Sequence, residues 1–330
     1  MIKPPVWLFF SLLLSLPALL SCSPDPGPSA ELEVAARSVQ SGALAPDGTQ
    51  AVIGSVYHGG SFWQLAERER LFNWNHSQSD MTLLLATAIS PDGGWAATVD
   101  EQSLVLWNTR EGQAAGFWRI PAEVLSVALG RYGNVALLGL GDGRGALYDV
   151  RGGGIFRSFA HEGRVNDVAV SDDLSVTLTG GEDFRVKVWD TQTGELRFER
   201  LYNEPVQEVA LSGDGRRALA AAKYDRVEIF TTDTNQSLWQ LPFANERVKR
   251  GLNITAARFS DDATYLLTGR PDGLVQLWDI DGQSEVYRWQ LPKRKQWQPS
   301  ATAVIDISFT DDPNRYRAIS SNGFVYTLTY

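Results

Sequence analysis

The stretch AVSDDLSVTLTGGEDFRVKVWD, residues 169–190, contains an alternating apolar run, a polar turn, a second apolar run and then a third strand that ends on a tryptophan. Apolar residues at every second position on both sides of a polar turn are the mark of a hairpin of half-buried strands. The same figure returns as ALAPDGTQAV (43–52), AISPDGGWAAT (88–98), ALGRYGNVALL (128–138), ALSGDGRRALA (210–220), RFSDDATYLLT (258–268) and SFTDDPNRYRA (308–318). Each third strand carries one large anchor: Leu65, Trp107, Tyr148, Trp189, Phe230, Trp278 and Leu328. The anchors are spaced 42, 41, 41, 41, 48 and 50 residues apart. The chain is one unit repeated seven times.

Within the unit the spacing is stricter. From the first strand's opening apolar residue (Val124, Val165, Val206, Ile254 or Val304) to the anchor is 24 residues in five units. A paired strand cannot gain one residue without turning its buried side chains to the other face, so this segment is held while later loops vary. A period near 41 fits propeller blades. The expected fold is all-β, a seven-bladed propeller of four-stranded antiparallel blades.

These residues resemble the WD-repeat family. Trp189-Asp190 and Trp278-Asp279 carry its name-giving dipeptide, with Trp107-Asn108 and Tyr148-Asp149 as near matches. The fourth unit also matches the family's structural tetrad at His161, Thr179, Asp183 and Trp189, in which a Thr–His pair serves a buried carboxylate and an indole N–H. Asp142, Asp272 and Asn322 stand at the tetrad Asp position, six before the anchor, and the other units read as lacking the His. The resemblance implies that an N-terminal segment, residues 31–37, supplies the fourth strand of the last blade and closes the ring.

The front of the chain reads as an address. Residues 1–21 carry Lys3 and then an apolar run from Val6 to Leu20, too short and interrupted for a membrane span. Leu19-Leu20-Ser21-Cys22 resembles the lipobox of bacterial lipoproteins, and Cys22 is the chain's only cysteine. The resemblance implies cleavage before Cys22 and acylation of that residue, a multi-chain anchor that holds stably. Residues 22–30, with Pro24, Pro26 and Pro28, are expected to form an extended tether, and 31–330 the propeller. By the same resemblance, Ser23 stands after the cysteine where an Asp would favour the inner membrane, which implies the outer membrane, with the propeller facing the periplasm.

Composition narrows the function. A formal charge of −9, or −10 once Lys3 is removed, disfavours a nucleic-acid binder. One cysteine excludes intrachain disulfides and CxxC chemistry, and three histidines leave little for His-based catalysis. The acid pairs Asp172-Asp173, Asp261-Asp262 and Asp311-Asp312 fall at one point of the repeat, on separate blades, so they are read as turn residues. Gly139–Gly145 lacks the Lys-Ser/Thr of a phosphate loop. No catalytic residue, metal site or cofactor is expected.

Two crossovers between blades are longer than the rest, adding PFANERVKRGLN (242–253) and PKRKQWQPSATA (292–303) on either side of the sixth unit. They carry Arg247, Lys249, Arg250, Lys293, Arg294 and Lys295 against Glu246, with Phe243 and Trp297 as aromatic surface. Arginine with aromatics is the composition of binding hot spots. By position in the family, Arg164, Asn166 and Glu182 join them as candidate contacts. The expectation is a non-catalytic protein-interaction scaffold, held to an envelope membrane by its N-terminal lipid, receiving an acidic protein partner and no nucleic acid. The alternative is an enzyme or a small-ligand or metal binder working through the central channel, where Asp167, Glu208, Arg258 and Asp306 lie on first strands.

Overall fold

The computed structural model describes residues 25–77, 81–245, 253–294 and 301–330. These form seven four-stranded antiparallel sheets. The innermost strands are Val39–Leu44, Ala86–Ile89, Val124–Leu129, Val165–Val170, Val206–Leu211, Ala256–Phe259 and Val304–Phe309. Each touches the innermost strand of both neighbouring sheets, and the last touches the first, so the sheets stand as blades around a closed ring. The seven-bladed propeller expected from the repeat is the fold.

Stacking dictates the residue pattern. Second strands lie between sheets on both sides, so Val135–Leu140 reads VALLGL with every residue buried. Outermost strands face water on one side, and Leu196–Leu201 alternates accordingly. Each join between blades is a small core of its own; between the second and third it includes Leu104, Leu106, Leu138 and Leu140. Burying one such leucine is worth about 2 kcal/mol.

The fixed spacing inside the repeat has a structural cause. Five innermost strands carry a bulge at their start, at Val39/Ser41, Val124/Ser126, Val165/Asp167, Val206/Glu208 and Val304/Asp306. A second bulge precedes the anchor in six third strands. A bulge sets two residues against one and re-aims the side chains beyond it, so neither segment can change length alone. This register corrects the first anchor. Trp63 pairs with Ala51 immediately after the Phe62/Trp63 shift, as Trp189 pairs with Thr177 after Val188/Trp189. The anchor is therefore Trp63 rather than Leu65.

The ring closes through Ala30–Glu33, which pairs antiparallel with Phe324–Thr327 as the fourth strand of the last blade. The amides of Val34 and Ala35 then both donate to the Gly323 carbonyl (2.9 and 3.1 Å). Gly323 has φ +98, and a Cβ there would lie 2.3 Å from the Ala35 carbonyl oxygen, so only glycine allows this approach. Attachment begins earlier than the expected tether boundary. The Gln290 amide donates to the Pro26 carbonyl (2.9 Å) and the Ser29 amide to that of Thr327 (2.8 Å). Among the described residues no helix is long and apolar enough to cross a membrane.

Candidate interaction face

Antiparallel blades put every crossover from a fourth strand to the next first strand on one face, together with the turns between second and third strands. His161 sits in one such crossover. Its Nε2 lies 2.7 Å from Thr179 Oγ1, which also accepts the Trp189 indole N–H at 2.9 Å. The hydroxyl proton therefore goes to Nε2, leaving Nδ1–H to donate to the Asp183 carboxylate at 3.0 Å. The His161 side chain is fully buried and that of Asp183 nearly so. Burial pushes the Asp183 carboxyl up, but hydrogen bonds from His161 and from the Glu162 and Arg185 amides outweigh it and hold it below the usual range. A Cβ on Gly181 would come within 3.0 Å of both partners of the His–Asp bond, which accounts for the glycine there.

A second tetrad stands in the second blade, which corrects the expectation that this unit lacks the histidine. His76 Nε2 is 2.7 Å from Thr98 Oγ1, which accepts the Trp107 indole N–H at 2.7 Å. Its Nδ1 faces Asp100 at 3.0 Å and Ser103 Oγ at 2.7 Å. Burial pushes the His76 pKa down against the pull of Asp100. The signal is present in the sequence but displaced: His76 lies ten residues before its first strand, where His161 lies four before, and Asp100 is seven rather than six before its anchor. The crossover that carries His76 is a third long one, beyond the two expected from the sequence. It exposes Met81 (63%) and Leu83 (42%), which with Phe117 (59%) edge a 430 Å³ hollow over the tetrad. Among the described residues the sixth blade shows the indole end of the tetrad, Trp278 to Thr268 at 2.8 Å.

Arg164 and Glu182 are brought together on this face, both about half exposed. The Arg164 guanidinium contacts Glu123 of the third blade at 2.9 Å and Glu182 at 3.9 Å. Asn166 is turned to a structural task, its Nδ2 donating to the Val206 carbonyl of the fifth blade at 2.8 Å.

The two long crossovers flank the sixth blade as expected, but two of their residues are not surface. Phe243 is buried (5% exposed), its ring edge-on to Trp278 at 5.5 Å. A short 3₁₀ turn, Pro242–Asn245, folds it back onto the blade. Arg294 is pinned to the closing segment: it pairs with Glu33, donates to the Ala35 (3.1 Å) and Asn322 (3.0 Å) carbonyls, and lies over the Phe324 ring. Lys293 beside it is exposed. Cys22, Arg247, Lys249, Arg250, Lys295 and Trp297 lie outside the described residues.

The central channel opens on the opposite face into a cavity of about 930 Å³, lined by the first turns of the blades and by Asp167, Glu208, Arg258 and Asp306. Its polar groups bond across blade joins. Asp167 accepts the Ser126 hydroxyl (2.6 Å) from the third blade and the Val209 amide (2.7 Å) from the fifth. Glu208 accepts the Ala257 amide (3.1 Å) from the sixth. Arg258 pairs with Asp306 (3.2 Å), which accepts the Leu44 amide (2.7 Å) of the first blade. Burial raises the Asp167 pKa to about 6, and burial together with Asp167 and Asp306 raises that of Glu208. The second acid of each turn pair caps its own turn: Asp173 accepts from the Ser171 hydroxyl and Ser175 amide, and Asp262 from the Ser260 hydroxyl and Thr264 amide. Among the described residues no three His, Cys, Asp or Glu side chains come together to hold a metal ion.

Fold and tetrads together make a seven-bladed propeller that resembles the WD-repeat kind. The family model described as WD domain, G-beta repeat, matches residues 154–190 and 249–279. The first match starts at the outer strand of the third blade and ends with the third strand of the fourth. The sequence repeat thus straddles two blades, the same offset that makes the N-terminal strand complete the last one. No curated protein matches the chain.

Proposed function

We propose that the protein is a non-catalytic scaffold for protein partners, acylated at Cys22, held to the periplasmic side of a bacterial envelope membrane, the outer one by the residue after the cysteine. The observation that carries the scaffold reading is the deployment of its chemically capable side chains. Both tetrad histidines are engaged in indole–hydroxyl–carboxylate chains, and the channel carboxylates in bonds between blades. The crossover face is left for recognition. A WD-type propeller fits that use, since its family model matches here and such rings commonly bind proteins. An acidic partner segment would meet Lys293 with Arg247, Lys249, Arg250, Lys295 and Trp297. Phe243 is withdrawn from the contact set by its burial, and Arg294 by its bonds to Glu33 and to the Ala35 and Asn322 carbonyls.

The test is crosslinked capture from envelope membranes, comparing the wild type with a variant in which 247, 249, 250, 293 and 295 are serine and Arg294 is kept. A partner held by the wild type and lost from the equally stable variant is the expected result. Equal capture removes the basic crossovers as the site. A bound small molecule in place of any protein would favour the channel.

A further inference from the structure

We infer that the outer edge of the sixth and seventh blades lies against the lipid headgroups, with Lys293 beside the membrane surface, so that an acidic partner of the neighbouring crossovers docks next to the bilayer and the propeller is held close to it rather than on a free stalk. This rests on acylation of Cys22. The argument is one of reach. The chain is fixed to the ring at Pro26, whose carbonyl accepts the Gln290 amide at the end of the sixth blade's outer strand. From Cys22 to Pro26 is four residues, which fully extended cover about 14 Å. A six-residue strand is about 20 Å long. The leash is thus shorter than one strand, and an acylated cysteine cannot swing round the ring to bring another sector to the bilayer.

A second pair of contacts fixes which residues share that place. Arg294 is bound to Glu33 and to the Ala35 carbonyl of the closing segment. Lys293 therefore lies between two attachments to the N-terminal segment, Gln290 to Pro26 on one side and Arg294 to Glu33 and Ala35 on the other. It is exposed, while Arg294 is held inward. An exposed ammonium beside the root of a lipid anchor suits an anionic headgroup surface, whose attraction fades within a Debye length. Along the outer side of the same two blades, toward the opposite face, Tyr330 is 58% exposed and its ring packs on Tyr287 of the sixth blade at 4.9 Å, the kind of amphipathic ring that settles at a membrane interface. The fourth blade, with Glu162 at its crossover, is then turned away from the bilayer.

Acylation of Cys22 leaves an introduced thiol as the only free one in the chain. Lys293→Cys and Glu162→Cys, both at exposed positions, would be labelled with an environment-sensitive fluorophore in the acylated full-length protein. The labelled proteins would be placed in phosphatidylethanolamine–phosphatidylglycerol vesicles that carry nitroxide on the headgroups. The expected result is at least threefold stronger quenching at 293 than at 162. Ten Gly/Ser residues inserted between Pro24 and Asp25 should bring the two toward equality. Equal quenching in the acylated protein without the insert, or stronger quenching at 162, overturns the inference while leaving the anchor in place. An N-terminal peptide of Cys22 without acyl chains, read by mass, overturns the anchor and the inference with it.

Discussion

His76 Nε2 and Thr98 Oγ1 are 2.7 Å apart, the same separation as His161 Nε2 and Thr179 Oγ1 two blades away. The threonine hydroxyl is the hinge of each tetrad, because its oxygen accepts a hydrogen bond from the indole N–H while its O–H donates one to the imidazole. Thr98→Val keeps the shape and removes both bonds, leaving the Trp107 N–H and the His76 ring nitrogen buried without partners. Each stranded group costs about 1–3 kcal/mol. Thr98→Val and Thr179→Val should therefore lower the unfolding free energy by similar amounts, on the order of 2–4 kcal/mol. Urea denaturation measures this. A loss from Thr98→Val below a few tenths of a kcal/mol would show that the second tetrad contributes nothing to stability.

The channel carboxylates give the protein a particular pH response. Asp167 has its pKa raised to about 6 by burial, from an ordinary value of 3.8. Between those values the folded state binds the proton and the unfolded state does not, so stability from this group falls as pH rises through the window and is gained as pH drops. The full effect is on the order of 2–3 kcal/mol. His76 works in the opposite sense: its pKa is lowered, so protonation of the unfolded state below 6.5 takes stability away. Asp167→Asn isolates the first effect. The amide can still accept the Val209 N–H and stays neutral, so the variant's stability should gain on the wild type between pH 5 and pH 7. Parallel stability curves for the two proteins over that range would refute the assignment.

Ring closure makes a third prediction. Without Ala30–Glu33 the strand Phe324–Thr329 becomes an edge with unpaired backbone groups, a template for pairing with another chain. A protein starting at Val34 should self-associate at micromolar concentration, seen by analytical ultracentrifugation, and lose amide protection along Phe324–Thr329. Arg294→Ala should do part of this, since it frees the Ala35 and Asn322 carbonyls and the Glu33 carboxylate. Its expected signature is faster amide exchange at Leu32 and Glu33 with little change in the fourth blade.

The fold is legible in the sequence because two periods reinforce each other. Alternation of apolar residues marks the strands, and the 24-residue interval from Val165 to Trp189 recurs because bulges lock both ends of that segment. The first anchor is misread for the same reason. Leu65 is apolar and nearly in phase, but phase is set by the bulge at Phe62/Trp63, which only pairing reveals. The candidate site is legible in part. Crossover length exposes the two long loops, yet residue type does not say which side chains fold back. Phe243 is held by Trp278, 35 positions away, and Arg294 by Glu33, 261 positions away. The second tetrad escapes sequence reading because an extended crossover moves His76 out of its usual offset, although every residue type it needs is present.

That distinction between folded-back and free residues yields the last prediction. Phe243→Ala removes a buried ring from the face of Trp278 and should cost about 3 kcal/mol. Lys293→Ser alters an exposed side chain and should change stability by less than about 0.5 kcal/mol. Capture of a partner must therefore be compared at matched folded fraction, measured by near-ultraviolet dichroism. If the crossovers bind an acidic partner, Lys293→Ser weakens capture most at low ionic strength and least at high, since its contribution is a screened charge. Phe243→Ala would then weaken capture only as far as the fold itself is lost. A specific loss with Phe243→Ala in fully folded protein would mean that the aromatic turn opens on binding, and that the buried position of its ring is the resting state of a movable contact.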